Sequence, residues 1–142
     1  MYATRYLKAR KRVYVAGGWF SDNQLNHLKE IEDLASESFD NVFLPRKMNL
    51  GTDGCDWESV FNENIKHLKS CDVVIASTVE KDIGTIWECG YAHAFDKKII
   101  YYCPNIDKPN LMLGMSGVVC KTIDDIYEYI NEGYVTKVED YE

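Results

Sequence analysis

No apolar run in this chain is longer than a strand, so nothing supplies the roughly 20 consecutive apolar residues of a membrane-spanning helix. The first apolar stretch, Val13–Phe20, is too short for a secretory leader and holds Gly17, Gly18 and Trp19. Cysteines are few and scattered: Cys55, Cys71, Cys89, Cys103 and Cys120 include no CxxC pair. That removes the usual metal spacing and argues against a disulfide framework. Positive charge is also short, with 16 Lys and Arg against 23 Asp and Glu and a net charge of −7. Too few cations remain to neutralise a phosphate backbone, so nucleic acid is not an expected partner. Of the three histidines, His27 and His67 fall on helices and read as solvent-facing, while His93 is out of helical alignment with Glu88. No H-x-x-x-H or carboxylate cluster suggests a metal. These absences point to a reduced, cytoplasmic protein with no cofactor and no metal.

What remains is globular composition: 46% hydrophobic and 27% charged residues in 142, the size of one domain with a self-sufficient core. A basic stretch over residues 1–12, with Arg5, Lys8, Arg10, Lys11 and Arg12, reads as a solvated extension. Residues 133–142 form an acidic tail.

Between them apolar runs alternate with amphipathic ones. Strands are expected at Val13–Ala16, Asn41–Leu44, Val73–Ala76, Lys98–Tyr102 and Val118–Cys120. Ser21 and Gln24 carry a capping-box pattern ahead of Leu25, Leu28, Ile31 and Leu34 at helical spacing. Asp56 caps a helix to about Lys69, with Val60, Phe61, Ile65 and Leu68 as its apolar face. Thr85–Phe95 and Ile123–Asn131 read as further helices. Strands alternating with helices imply parallel pairing through right-handed crossovers, hence an open five-stranded α/β sheet covered on both faces. Ligands of such sheets bind outside the carboxyl ends of the strands. The loops to inspect are therefore 17–22, 45–55, 77–84 and 103–117.

The first loop pairs Gly17 and Gly18 with Trp19 and Phe20, without a G-x-G-x-x-G or P-loop spacing. Two large aromatics at a strand end could stack on a planar base or a sugar face. Asp72 precedes an apolar strand and, on pattern alone, reads as a surface residue at its entrance. Asp82 and Glu88 lie before and inside the next helix, whose positive end favours ionised carboxylates. Gly84, Gly90 and Ala92 are small enough to let that helix lie close to its neighbours. A nucleophilic carboxylate must be ionised at neutral pH. Spacing leaves Glu88 equally readable as a helix-surface glutamate near Lys97 or Lys98.

Three blocks then resemble the nucleoside 2-deoxyribosyltransferases. They are Val13–Gln24 (V-Y-V-A-G-G-W-F-S-D-N-Q), Asp82-x-Gly84-Thr85-x-x-Glu88-x-Gly90-Tyr91-Ala92, and Asn110-Leu111-Met112. The resemblance runs from Val13 to about Ile130 and implies a flavodoxin-like sheet in a homo-oligomer, from dimer to hexamer. It implies transfer of 2-deoxyribose between purine or pyrimidine bases with retention, through a covalent glycosyl ester. The implied partners are 2′-deoxynucleosides and free nucleobases. By matching position, Glu88 would be the nucleophile and Tyr14 its orienting hydrogen-bond partner. Asp72 and Asp82 would bind substrate and handle the proton of the base. Gly17, Trp19 and Phe20 would line the substrate, Asn49 could read the base, and Asn110 and Met112 would line a sugar site, in their own chain or a neighbour's. Rival readings are a deoxynucleoside 5′-phosphate N-hydrolase, a nucleoside hydrolase, and a non-catalytic nucleotide-binding module.

Overall fold

The computed structural model describes residues 10–48 and 56–142; Asn49 and Cys55 lie outside them. The first strand, β1 (Arg12–Ala16), shows why a sheet forms here. Its side chains alternate, so Val13 and Val15 face one side while Tyr14 and Ala16 face the other. Both sides are apolar, as a strand covered on two faces must be. It pairs in parallel with β2 (Asn41–Phe43) and β3 (Val73–Ser77). Strands β4 (Lys98–Tyr102) and β5 (Val118–Cys120) complete an all-parallel sheet of order β2-β1-β3-β4-β5. This is the flavodoxin-like order, in which the connection from β2 to β3 crosses over β1.

Two helices cover each broad face. α1 (Asp22–Ser38) and α6 (Ile123–Glu132) bury Leu28, Ile31, Leu34, Ile126 and Ile130 against Val13, Val15 and Ile75. On the other face, α3 (Trp57–Ser70) and α4 (Ile83–Ala94) place Leu68, Cys89 and Ala92 against Tyr14, Ala16, Val74 and Ala76. Side-chain oxygens start the helices where the sequence places them. Ser21 accepts from the Gln24 N–H at 3.1 Å, Asp56 from Glu58 at 3.0 Å, and Thr122 from Asp125 at 3.0 Å. The Gln24 side chain accepts from the Phe20 N–H at 2.9 Å, one residue ahead of the usual capping box, and so fixes the aromatic loop to α1.

Two short helices lie where loops are expected: α2 (Pro45–Met48) and α5 (Leu111–Ser116). Neither is long enough to show a helical period, and tertiary contacts hold both. Arg46 reaches from α2 to Glu32 on α1 at 2.7 Å in a largely enclosed ion pair. α5 is capped by Asn110, and the ring of Tyr141 lies over Gly114, where an added Cβ would clash with it. The tail thus folds back, with Glu142 bonded through its backbone to Pro109 and Leu111.

The expectation for α4 needs correcting in one respect. Ala92 is enclosed, but a Cβ on Gly90 would meet nothing within 4 Å and one on Gly84 only Asp82 at 3.6 Å. Those glycines lie on the open side of the helix and do not set its approach to the sheet.

Candidate active site

The crevice between the carboxyl ends of β1 and β3, beside the crossover, is where an open sheet leaves room for a ligand. Gly17 and Gly18 leave β1 there. A Cβ on Gly17 would sit 2.7 Å from Leu28 Cδ1, so this residue must be small for α1 to pack. A Cβ on Gly18 would sit 2.7 Å from Gln24 Nε2 and 2.9 Å from Asp82 Oδ1. Gly18 thus lets the Asp82 carboxylate lie against the first loop.

The loop after β3 takes an unusual path to deliver Asp82. Glu80 and Lys81 both adopt left-handed backbone, at φ of 57° and 52°, which costs non-glycine residues about 1 kcal/mol or more each. Compensation comes from Glu80, whose carboxylate accepts from Ser21 Oγ and Asn23 Nδ2, both at 2.9 Å, at the start of α1. Asp82 then caps α4, accepting from the Thr85 N–H at 3.0 Å and Thr85 Oγ1 at 2.7 Å.

Glu88 lies on the next turn of α4, above β1. Tyr14, with no exposed surface, donates its phenolic O–H to Glu88 Oε2. Burial, then the charge of Glu88, holds the Tyr14 hydroxyl far above its ordinary value, so it stays protonated and remains a donor. The Glu88 carboxyl is itself pushed up to about 7, chiefly because burial disfavours its charge. The Tyr14 hydrogen bond pulls it down and the Asp82 charge adds to the rise. This revises the expectation that the helix end would favour the ionised form. Glu88 is the sixth residue of α4, past the first turn where the dipole acts, and desolvation wins.

A cavity of about 540 Å³, within the range of small-molecule sites, opens above this pair. Gly17, Trp19, Phe20, Asp82 and Glu88 line it, together with Phe61, Asn64 and Trp87 from α3 and α4. Trp19 and Phe20 stack with ring centroids 5.8 Å apart, and Phe20 is 80% exposed. Phe61 and Trp87 meet at 5.8 Å on another wall. The lining holds two carboxylates and, among the described residues, no Lys, Arg or His.

Tyr14, Gly17, Trp19, Phe20, Asp82 and Glu88 are therefore gathered in or beneath one cavity. Asp72 is not. It is exposed at the amino end of β3, where its carboxylate accepts from the Arg12 N–H at 2.8 Å. Five residues of strand, about 16 Å of chain, separate it from the crevice. Asn110 and Met112 line a different groove, with Thr78, Lys81 and Ile86, and Asn110 spends its side chain on capping α5. Asn49 lies outside the described residues. Asn64 is the residue that sequence reasoning missed. Its signal was a polar side chain one turn after Phe61, inside the apolar stripe of α3. Among the described residues no cluster of three His, Cys, Asp or Glu side chains could hold a metal, and no helix is long and apolar enough to cross a membrane.

The fold and cavity define a class: a flavodoxin-like open sheet with a tyrosine-bonded carboxylate beneath an aromatic pocket at the strand crossover. The model of the nucleoside 2-deoxyribosyltransferase family matches residues 13–130, and the chain belongs to that family. No curated protein matches the sequence. Among solved structures, a 2-deoxyribosyltransferase from Bacillus psychrosaccharolyticus superposes with a TM-score of 0.74 at 25% identity, over 83% of this chain and 91% of that one. A CMP N-glycosidase from Clostridium botulinum shares the fold with a TM-score of 0.60 at 18% identity, covering 87% and 100%. A 2-deoxyribosyltransferase from Leishmania mexicana does so with 0.52 at 20%, covering 90% and 89%.

Proposed function

We propose that the protein transfers 2-deoxyribose from a 2′-deoxynucleoside to a free nucleobase with retention of configuration. The observation that carries this reading is the Tyr14–Glu88 pair at the floor of an aromatic cavity. In the first step a Glu88 oxygen attacks C1′, the C1′–N bond breaks, and the base leaves with a proton. In the second, the acceptor base attacks C1′ from the face the first base left, the C1′–O bond to Glu88 breaks, and the acceptor's N–H proton passes to Asp82. Lack of a 2-hydroxyl removes an electron-withdrawing group beside C1′, which lowers the cost of the oxocarbenium-like transition state.

Each residue has a physical part. Tyr14 holds one Glu88 oxygen and leaves the other to attack. Asp82 is the other carboxyl of the cavity and is the group assigned to the proton of the base; Asp72 is too distant for it. Trp19, Phe20, Phe61 and Trp87 give the base apolar walls and keep water from the ester, which favours transfer over hydrolysis.

Hydrolysis of a nucleotide is the competing reading, since a CMP N-glycosidase shares the fold. A phosphate would enter a cavity lined by Asp82 and Glu88 with no cationic side chain among the described residues. That arrangement favours an uncharged nucleoside.

The position of Asn110 and Met112 supports a homo-oligomer. They do not line the cavity of their own chain, which agrees with the part at a neighbouring protomer's sugar site that the resemblance implies for them. Met112 is 72% and Ile83, on the cavity rim, 84% exposed, as suits residues that meet across an interface.

Incubating the protein with thymidine and adenine tests the reading. Transfer yields deoxyadenosine and thymine, whereas a hydrolase yields thymine with no deoxyadenosine. Glu88→Ala lowers the rate by at least about a thousandfold. A loss of only a few-fold would remove Glu88 as the nucleophile.

A further inference from the structure

The turn between β3 and α4 is gripped from the side by the start of α1. Glu80 and Lys81 keep left-handed backbone in it, at φ of 57° and 52°. Glycine takes that conformation freely, so a turn needed only for its shape has no use for two larger residues. Glu80 adds a side chain that holds on. Both its carboxylate oxygens accept from Ser21 Oγ and one accepts from Asn23 Nδ2, all at 2.9 Å. Gln24 Nε2 donates to the Val79 carbonyl at 3.3 Å.

Asp82 follows directly. Its cap on α4 engages Oδ2 alone, through the Thr85 N–H and Oγ1. Oδ1 lies against Gly18, where an added Cβ would meet it at 2.9 Å. The cap therefore fixes one oxygen, and the direction from which the chain delivers the carboxyl is left to the turn.

We propose that Glu80 is a positioning residue: by binding Ser21 and Asn23 it holds the strained turn so that the Asp82 carboxyl stays in the cavity with Glu88. Glu80 itself is exposed and does not line that cavity. The inference rests on the function proposed above for the part it gives Asp82, and adds what keeps that carboxyl in place. Without the tie, Glu80 and Lys81 relax toward the backbone that non-glycine residues prefer, and Asp82 swings away from Glu88. The charge of Asp82 helps to raise the Glu88 carboxyl, so the titration of Glu88 reports whether Asp82 is near.

Three variants separate placement from stability and from charge. Glu80→Gly cuts the tie but suits the left-handed backbone, so its Tm stays within about 3 °C of wild type. Asn23→Asp sets a second carboxylate against Glu80 and breaks the tie by repulsion, at a helix start where an acid is well tolerated. Asn23→Asp combined with Glu80→Gln faces an amide donor with a carboxylate again. Transfer from thymidine to adenine falls in kcat/KM by at least about tenfold in both single variants and returns to within about threefold in the double.

The Glu88 carboxyl is followed by 13C NMR in substrate-free protein, with Glu88→Gln assigning the resonance. Its titration moves to lower pH in both single variants and back in the double. Charge alone cannot do this, because Glu80→Gly removes a negative charge and Asn23→Asp adds one, which would move it in opposite directions. Opposite movements, no rescue in the double, or unchanged kcat/KM in both single variants overturns the proposal. A lower Tm with the titration unmoved overturns it too and marks a merely structural role.

The titration needs no turnover, so the two readings fail separately. Movement and rescue with no deoxyadenosine formed even by wild type upholds the placement by Glu80 and overturns the transferase. Transfer with an unmoved titration does the reverse. Absence of both transfer and movement overturns both.

Discussion

The phenolic hydroxyl of Tyr14, enclosed at the centre of β1, donates to the carboxylate of Glu88 on α4, 74 residues away in sequence. The pair joins a strand to a helix, and its chemistry depends on both partners. Burial raises the Glu88 carboxyl while the tyrosine lowers it, and their balance leaves it about 7. On the proposed mechanism Glu88 must be ionised to attack, so the pair would set the acid limb of activity.

We therefore expect kcat/KM to rise with pH through about 7 and to level above it. Tyr14→Phe removes a bond that favours the ionised form, so the limb moves to higher pH and activity at pH 6 falls by roughly tenfold or more. Asp82→Asn removes a charge that disfavours ionisation, so the limb moves to lower pH. Profiles measured from pH 5 to 9 with a neutral deoxynucleoside check all three. Shifts of the same sign in both variants would contradict this balance.

Stability should carry the opposite signature. A group whose folded pKa is raised binds its proton more tightly in the native state. Its contribution is full below the unfolded value and is lost as pH rises through about 7. Glu88→Gln cannot ionise, so above pH 7 it should be more stable than wild type. The gain is about 1–2 kcal/mol, less than the full shift implies because the carboxyl keeps some contact with solvent. Near pH 4 the two proteins should unfold alike. Denaturant melts at pH 4 and pH 8 compare them.

Gly18 offers a test of how Asp82 is placed. A methyl group there would press on Gln24 Nε2 and on Asp82 Oδ1, both inside 3 Å. Gly18→Ala must displace one or both, and we expect kcat/KM to fall by about tenfold to a hundredfold. Circular dichroism should stay close to wild type, because the clash is with side-chain ends. Undiminished activity would show that Asp82 need not lie against the first loop.

Asp72 supplies the contrary case. At the amino end of β3 it bonds the backbone of Arg12 and touches nothing in the cavity. Asp72→Ala should cost about 1 kcal/mol of stability and leave kcat/KM within about threefold of wild type. A loss of a hundredfold with unchanged stability would return Asp72 to the catalytic machinery.

The order of apolar runs specified five strands, four long helices and a parallel sheet, because pattern and capping are local properties written in consecutive residues. The same order placed Asp82 after a strand and Asp72 before one. Parallel strands share a direction, so a residue that follows its strand reaches the carboxyl-end crevice, whereas Asp72, given a part in the site by the resemblance, lies at the other end of β3. Short α2 and α5 had no period to reveal them, since contacts with Glu32 and Tyr141 hold them in place.

Sequence by itself thus determined the fold and the crevice and singled out Tyr14, Gly17, Trp19, Phe20, Asp82 and Glu88 there, but it missed Asn64 and gave Asp72 a part the structure does not place in the cavity. Tertiary structure decided their state. Packing of α4 on β1 joined Tyr14 to Glu88 and stripped water from the carboxyl, which outweighed the pull of the helix end. It also turned Asn64 inward and left its oxygen without a partner. Ionisation and hydrogen bonding depend on what surrounds a group in space, and residues distant in the chain supply those surroundings.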